Sequence, residues 1–285
     1  MSPGTRATPL AGMSFAHLDL DAATRLLLSP QGLRTGVPWR LVNTWSIALA
    51  HRQRGYASVL RGDGVNLADG KPVAWVLRAL GRRHGSSTVA AQVRGPDFFP
   101  HVLDVGRRAA VRHYLLGGTA ETLERLQTVI AERFPGCRVV GAEAPPFRPL
   151  THDERAAQDE RIRSSGADVV WVGLGTPKQD IEAQRLAAAL DRPVVAVGAA
   201  FDFLAGTKSE APRWVQRAAL EWLFRFASEP GRLWRRYTLG LLFFARVALR
   251  DLRRPVVRSL PVGSLRRPQP GMRLAEEFAV ERVGA

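Results

Sequence analysis

A carboxylate set between an apolar stretch and a glycine, in Leu67-Ala68-Asp69-Gly70, is the first group in this chain placed to move a proton. Residues 65–68 read as extended, so Asp69 leaves a strand end toward a cleft, where a general base would stand. The same residue type caps helices, and residues 72–81 have a helical pattern. Spacing leaves both roles open. A second group lies at 169–206, where an apolar run breaks into Gly173-Leu174-Gly175, Thr176-Pro177-Lys178-Gln179 opens a helix, and another apolar run ends at Gly198. Strand, glycine turn and helix N-terminus together aim backbone N–H groups and the positive end of a helix at one place. With Lys178 and Gln179 beside it, the natural guest is a small anion such as a nucleotide, and the class is an α/β enzyme.

Other residues carry weaker signals. Asn43 and Thr44 close a short strand and can orient a sugar or diphosphate, although spacing alone favours capping of the helix that follows. Gly117-Gly118 follows an apolar run as the phosphate-side turn of a Rossmann-like unit. It lacks the full G-x-G-x-x-G pattern, and no acid ends the next strand, which argues against a dinucleotide dehydrogenase. Asp19-Leu20-Asp21 has the Asp-x-Asp form of a metal site, but acids at a helix start more simply complement its dipole. Phe201 suits a core position better than a stacking one, and Cys137 reads as a small buried residue. Six histidines show no ligand spacing, so no metal site and no cofactor are expected.

The elements that must hold these groups alternate. Strands are expected at 39–43, 113–116, 138–141, 168–173 and 193–197, with 58–61 and 65–68 also extended. Helices are expected at 16–28, from 44 to about 52, at 72–81, 98–110, 120–133, 152–164 and 178–189. The pattern predicts a doubly wound, mostly parallel sheet with helices on both faces, whose ligands sit at the carboxyl ends of the strands. The domain reading is a disordered 1–15, a Rossmann-like domain over 16–206, a basic helical appendage over 207–254 and a flexible tail over 255–285. Within the appendage, helices 211–227 and 232–252 are expected to be separated by a break at Pro230-Gly231.

Charge separates the appendage from the rest. The chain of 285 residues has a net charge of +15, and residues 212–258 hold eleven arginines against three acids, a net +8. Such an excess suits anionic lipid or nucleic acid. The longest apolar run, 239–245, is far short of the ~20 residues that span a bilayer, and residues 1–30 lack a signal peptide's apolar core. With one cysteine there is no intrachain disulfide, so the expected place is the cytoplasm.

Taken in order, Val42-Asn43, Leu67-Ala68-Asp69-Gly70, Arg94-Gly95-Pro96-Asp97, Leu115-Leu116-Gly117-Gly118, the run from Gly173 to Gln179, residues 198–206, and the aromatic and basic pieces 211–214, 221–225 and 232–237 resemble the WecG/TagA/CpsF family of bacterial glycosyltransferases. The resemblance covers about residues 40–240. It implies inverting transfer of an N-acetylmannosamine-like sugar from a UDP-sugar to a polyprenyl-diphosphate-linked glycan on the inner face of the cell membrane, in cell-surface polysaccharide synthesis. It implies Asp69 as catalytic base. Asn43, Thr44, Arg94, Gly117, Gly118, Gly175, Lys178 and Gln179 fall to the donor, and Arg225, Arg232 and Arg235 to the diphosphates of donor and acceptor. For Arg94 the competing reading is a surface ion pair with Asp97. The family's threonine two positions before its asparagine is Leu41 here, which leaves that role to Thr44 or to nothing. A homo-oligomer is compatible with the sequence. The alternative from another class is a nucleic-acid-binding protein using the basic helices. A catalytically dead scaffold is disfavoured by the intact Asp69, Arg94 and Gln179.

Overall fold

Side chains that alternate between two faces set the layers of this molecule. Trp39 and Leu41 of β3 (Pro38–Val42), Val65 and Leu67 of β4 (Val65–Ala68), and Val169 and Trp171 of β7 (Val169–Gly173) point into one buried cluster. Val42 and Ala68 point into a second cluster, and Val170 and Val172 into a third, on the other face. A sheet apolar on both faces requires cover on both, as parallel sheets generally do. In the computed structural model, which describes residues 6–83, 86, 90–212, 215 and 230–253, helices lie on both faces.

Among the described residues the sheet has eight strands, in the order β1-β2-β4-β3-β8-β7-β5-β6. The strands not yet placed are β1 (Ala7–Leu10), β2 (Met13–Ala16), β5 (Arg112–Gly117), β6 (Arg138–Glu143) and β8 (Val194–Ala196). Only β1 and β2 pair antiparallel; the other neighbours are parallel. The first face is covered by α1 (Leu20–Leu27), α5 (Gly95–Gly106), α6 (Ala120–Arg133) and the short α9 (Ala200–Leu204). At its centre Trp171 is fully buried, with Phe99 edge-on at 4.9 Å and Phe201 packed on Phe99 at 5.2 Å. Each such aromatic contributes about 2–3 kcal/mol by burial, and Phe201 is a core residue, as its sequence context suggests. The second face is covered by α2 (Thr44–Arg52), α3 (Arg54–Arg61), α4 (Lys71–Arg83), α7 (His152–Ser164), α8 (Lys178–Leu190) and α10 (Pro230–Arg253).

Several expectations are corrected here. Residues 7–16 are a hairpin rather than a disordered lead-in: Ala11 and Gly12 both take positive φ, 57° and 76°, as a two-residue hairpin turn demands. Leu10, Met13 and Phe15 are buried in the second cluster, and Pro9 is tolerated because β1 is an edge strand. Residue 16 therefore ends a strand, and the first helix starts at Leu20, capped by the Asp19 side chain on the N–H of Ala22 at 2.7 Å. Residues 58–61 are helical, not extended; α3 buries Tyr56, Val59 and Leu60, spaced by three and one. The helix expected at 98–110 begins at Gly95 and ends in a 3-10 turn over Arg107–Ala109.

The appendage is not a separate unit where it is described. Phe244 and Ala248 of α10 belong to the second cluster with residues of α2 and α4, and Asp251 accepts the Ala11 N–H at 2.7 Å across 240 residues of sequence. The expected break at Pro230-Gly231 coincides with the start of α10, where a missing N–H costs nothing. The helix expected at 211–227 and the tail 255–285 lie outside the described residues, apart from 211, 212 and 215, as do residues 1–5.

Candidate active site

Parallel strands deliver their following loops to one edge, and this edge collects most of the candidate residues. Val42 and Ala68 are register partners at the ends of β3 and β4, so the next residues, Asn43 and Asp69, emerge side by side. The Asn43 amide Nδ2 donates to Asp69 Oδ2 at 3.3 Å. Its Oδ1 accepts the N–H groups of Trp45 and Ser46, each at 3.1 Å. Asn43 thus caps α2, as its spacing suggests, and aims its other end at Asp69. Thr44 is the first residue of α2 and half-buried. Leu41 is buried in the first cluster, so no side chain at that position reaches the edge.

Asp69 is half-buried, and its backbone N–H bonds the Val42 carbonyl at 3.0 Å. In the first turn of α4 the Ala74 N–H bonds the Gly70 carbonyl at 3.3 Å. The segment before α5 then runs along β4, with Val93 N–H on the Ala68 carbonyl at 2.9 Å. That brings Arg94 to the same edge. Gly95 follows because a Cβ there would stand 2.6 Å from the Val197 carbonyl oxygen. The Arg94 guanidinium is held by Asp97 at 3.1 Å and by Glu210 at 2.7 Å, with 11% of its side chain exposed. The ion-pair reading of Arg94 is therefore met in this structure. A phosphate that took Arg94 would have to displace a carboxylate of similar geometry.

Across the sheet, β5 and β7 are neighbours from which the chain departs in opposite directions, to β6 and to β8. A crevice forms at such a switch point. Gly117 and Gly173 face each other there in register. With φ at 121° and a built Cβ only 2.7 Å from the Gly173 backbone, position 117 admits no side chain. Gly117→Ala is expected to lower stability by about 2–4 kcal/mol, from positive-φ strain and overpacking together. An unchanged urea midpoint would contradict that. Gly118 continues the turn, and Thr119 caps α6 on the Thr122 N–H at 3.1 Å.

After β7, Gly175 takes φ 76° in open space, the Thr176–Pro177 bond is cis, and α8 starts at Lys178 without a side-chain cap. Gln179 is 3% exposed, and its Oε1 is buried with no hydrogen-bond partner among the described residues. Its amide lies against Gly198, where a Cβ would come within 3.6 Å. A buried, unmatched amide oxygen costs about 1–3 kcal/mol, so this end of the edge has unmet hydrogen-bonding capacity beside a helix N-terminus.

Beneath the edge lies a polar cluster that the sequence reading missed. Asp180, next to Gln179, accepts the Tyr56 hydroxyl at 2.6 Å. Arg40, fully buried in β3, donates to Gln184 at 2.7 Å, to the Asp63 carbonyl at 2.9 Å and to Asn66 at 3.2 Å. Burial raises the Asp180 carboxyl to about 6 against the pull of Tyr56 and Arg40, and lowers Arg40 to about 10. The one available signal was an arginine inside the apolar strand Pro38-Trp39-Arg40-Leu41-Val42. Elsewhere, burial pushes Cys137 up to about 11 and so quiets its thiol. His113, lowered to about 4 by burial, is neutral and accepts the Trp171 indole N–H at 3.1 Å.

Arg232 and Arg235 fall on the first two turns of α10, and Arg225 lies outside the described residues. A cleft of about 450 Å³ beside α5 is lined by Asp97, His101, Asp104, Arg133 and Glu210 among others. None of Asn43, Asp69 or Gln179 borders it, but Asp97 and Glu210, the two partners of Arg94, do, so the cleft meets the edge only at Arg94. Asp19 and Asp21 do not gather as ligands: Asp19 is a cap and Asp21 meets His101 at 3.0 Å. Among the described residues no three His, Cys, Asp or Glu side chains group to hold a metal ion. No helix among them is long and apolar enough to cross a membrane. The family model of the glycosyl transferase WecG/TagA/CpsF family matches residues 8–257.

Proposed function

Since the chain belongs to the WecG/TagA/CpsF glycosyltransferase family, we propose that it transfers an N-acetylmannosamine-like sugar, with inversion, from a UDP-sugar to a polyprenyl-diphosphate-linked glycan. The family makes it a glycosyltransferase of cell-surface polysaccharide synthesis; the donor, acceptor and stereochemistry are our reading. The observation that carries it is the Asn43–Asp69 pair at the carboxyl edge of the sheet. The acceptor hydroxyl oxygen attacks the anomeric carbon as the bond from that carbon to the UDP oxygen breaks. Asp69 takes the hydroxyl proton, and UDP leaves with the bonding electrons. Asn43 fixes the carboxylate by its amide. Lys178, the N-terminus of α8 and the unmatched oxygen of Gln179 receive the donor, with Thr44, Gly117, Gly118 and Gly175 shaping the turns around it. Arg94, exchanged from Glu210, takes the departing diphosphate. Arg225, Arg232 and Arg235 are assigned to closing over the two diphosphates, at a membrane surface on its cytoplasmic side.

The test is incubation with a panel of UDP-sugars and a lipid-diphosphate-GlcNAc analogue, reading UDP release and product stereochemistry. Release with none of the panel overturns the donor class, and retention of configuration overturns the role of Asp69 as base. In this reading cationic side chains, not a metal, neutralise the diphosphate. Activity is therefore expected to survive EDTA. Loss on chelation with recovery in Mg²⁺ or Mn²⁺ would refute that assignment.

A further inference from the structure

Among the described residues, the largest exposed apolar side chain is Trp75, 55% exposed on α4. Arg78 and Arg82 follow it at three and seven residues, so all three share one outward stripe and all are exposed. The next helix over repeats this composition. On α10, Leu242 and Leu249 are 66% and 53% exposed, with Arg246 between them at helical spacing and also exposed. The inner faces of both helices enter the same buried cluster, through Val73, Ala74 and Leu77 on α4 and Phe244 and Ala248 on α10. Their outer stripes are thus turned away from the sheet on the same side of the molecule. Neither stripe carries an acid: α4 has none, and the sole acid of α10, Asp251, is turned to the Ala11 N–H.

We propose that the α4 stripe, continued by that of α10, is a docking surface for an anionic lipid bilayer. Charge complementarity selects the occupant. Arginines bind lipid phosphates in pairs of hydrogen bonds, while an indole settles at the headgroup level, where one part of the ring is dry and the other wet. The exposed leucines between the arginines have no counterpart on a polynucleotide backbone, whereas they suit the boundary between headgroups and acyl chains. Geometry adds a purpose. α4 begins two residues beyond Asp69, and at about 1.5 Å per residue Trp75 lies roughly one turn along it. A bilayer on this stripe would hold the carboxylate edge close to the plane from which a lipid-linked acceptor presents its sugar. This inference deepens the proposed function and takes from it only the acceptor's membrane setting. It also places a membrane contact on the core of the fold, not on the basic C-terminal segment alone.

The experiment uses the full chain with vesicles of phosphatidylcholine, with and without about one third phosphatidylglycerol, whose negative surface attracts basic side chains. Wild type is expected to sediment with the anionic vesicles and release into solution in high salt. Arg78→Gln with Arg82→Gln should weaken that partition about fivefold per arginine. The Trp75→Phe variant should remove a blue-shifted component from the lipid-induced emission difference. UDP release on a short-chain, water-soluble acceptor should stay unchanged in both variants. Wild-type vesicle binding by the double variant overturns the proposal, as does an emission difference unaltered by Trp75→Phe, or a polynucleotide that displaces the protein from vesicles through the same arginines. Vesicle binding is read without sugar transfer, and transfer to the soluble acceptor without vesicles, so failure of this proposal and failure of the proposed function are told apart.

Discussion

Asp69→Asn is expected to cut turnover by about 10²–10⁴, the range that a positioned general base supplies, while the donor KM and the thermal midpoint change little. The substitution is close to isosteric. Its side-chain oxygen can still accept the Asn43 amide hydrogen bond now made at 3.3 Å, and the backbone bond from residue 69 to the Val42 carbonyl does not involve the side chain. What is lost is the capacity to hold the acceptor's proton as the new glycosidic bond forms. A helix-capping role predicts a different signature. Asparagine caps as well as aspartate, so a capping residue would keep both turnover and stability in this variant. Near-normal kcat would therefore remove Asp69 from the chemistry. Asn43→Ala serves as the companion measurement. It removes the orienting amide and the α2 cap together, so it should lower stability by about 0.5–2 kcal/mol and lower kcat by less than Asp69→Asn does.

Much of this edge was legible because parallel sheets obey a simple rule. Once residues 113–197 alternate between strand and helix, every strand's following loop must appear at the same edge, and Gly117-Gly118 and Gly175 to Gln179 had to converge there. The neighbours of each strand were not legible. That Asn43 meets Asp69 follows from the β3–β4 register, which separates the residues by 26 in sequence but by one strand spacing in space. The hairpin at 7–16 was hidden by its composition. Pro9 and Gly12 look like markers of disorder, yet one sits on an edge strand and the other in a turn that requires its φ. Residues 58–61 misled for the opposite reason. A short apolar run has no period of its own, and only Tyr56 upstream reveals the helical face. The partners of Arg94 were half visible: Asp97 is three residues away, but Glu210 is 116 residues distant. Family resemblance is the source of the role proposed for Asp69, and the structure adds the Asn43 amide bonded to it.

The polar cluster under the edge was the least legible feature and leads to the second large effect. Arg40→Met is expected to destabilise the protein by about 3–5 kcal/mol at pH 8, the usual cost of breaking a buried charged cluster from one side. Arg40 and Asn66 point to the same face of the sheet as Val42 and Ala68, and with Tyr56, Asp180 and Gln184 they form a polar seam between the second and third apolar clusters. Removing the guanidinium leaves three acceptors without this donor: buried Asn66, half-buried Gln184 and the carbonyl of exposed Asp63. It also leaves Asp180 without the cation that opposes its burial. The pH dependence identifies that last part. Burial raises the Asp180 carboxyl from its ordinary value to about 6, so the folded state binds this proton more readily than the unfolded chain. Its contribution to stability is fully present below the unfolded value near pH 4 and is lost as pH rises through 6. Without Arg40 the folded value climbs further, so the ionised carboxylate is more costly in the variant than in wild type. The difference between the two proteins should accordingly be largest above pH 7 and shrink as pH falls below 6, where Asp180 is neutral in both and only the lost hydrogen bonds remain. Urea midpoints measured from pH 5 to pH 8 test this. A difference that does not vary with pH would mean that Arg40 acts through its hydrogen bonds alone. No loss of stability would mean that the seam is replaceable by apolar packing, as some buried ionic clusters are. Because Asp180 adjoins Gln179, the same variant should also loosen the start of α8 and raise the donor KM more than it lowers kcat, which separates positioning of the donor from the proton transfer assigned to Asp69.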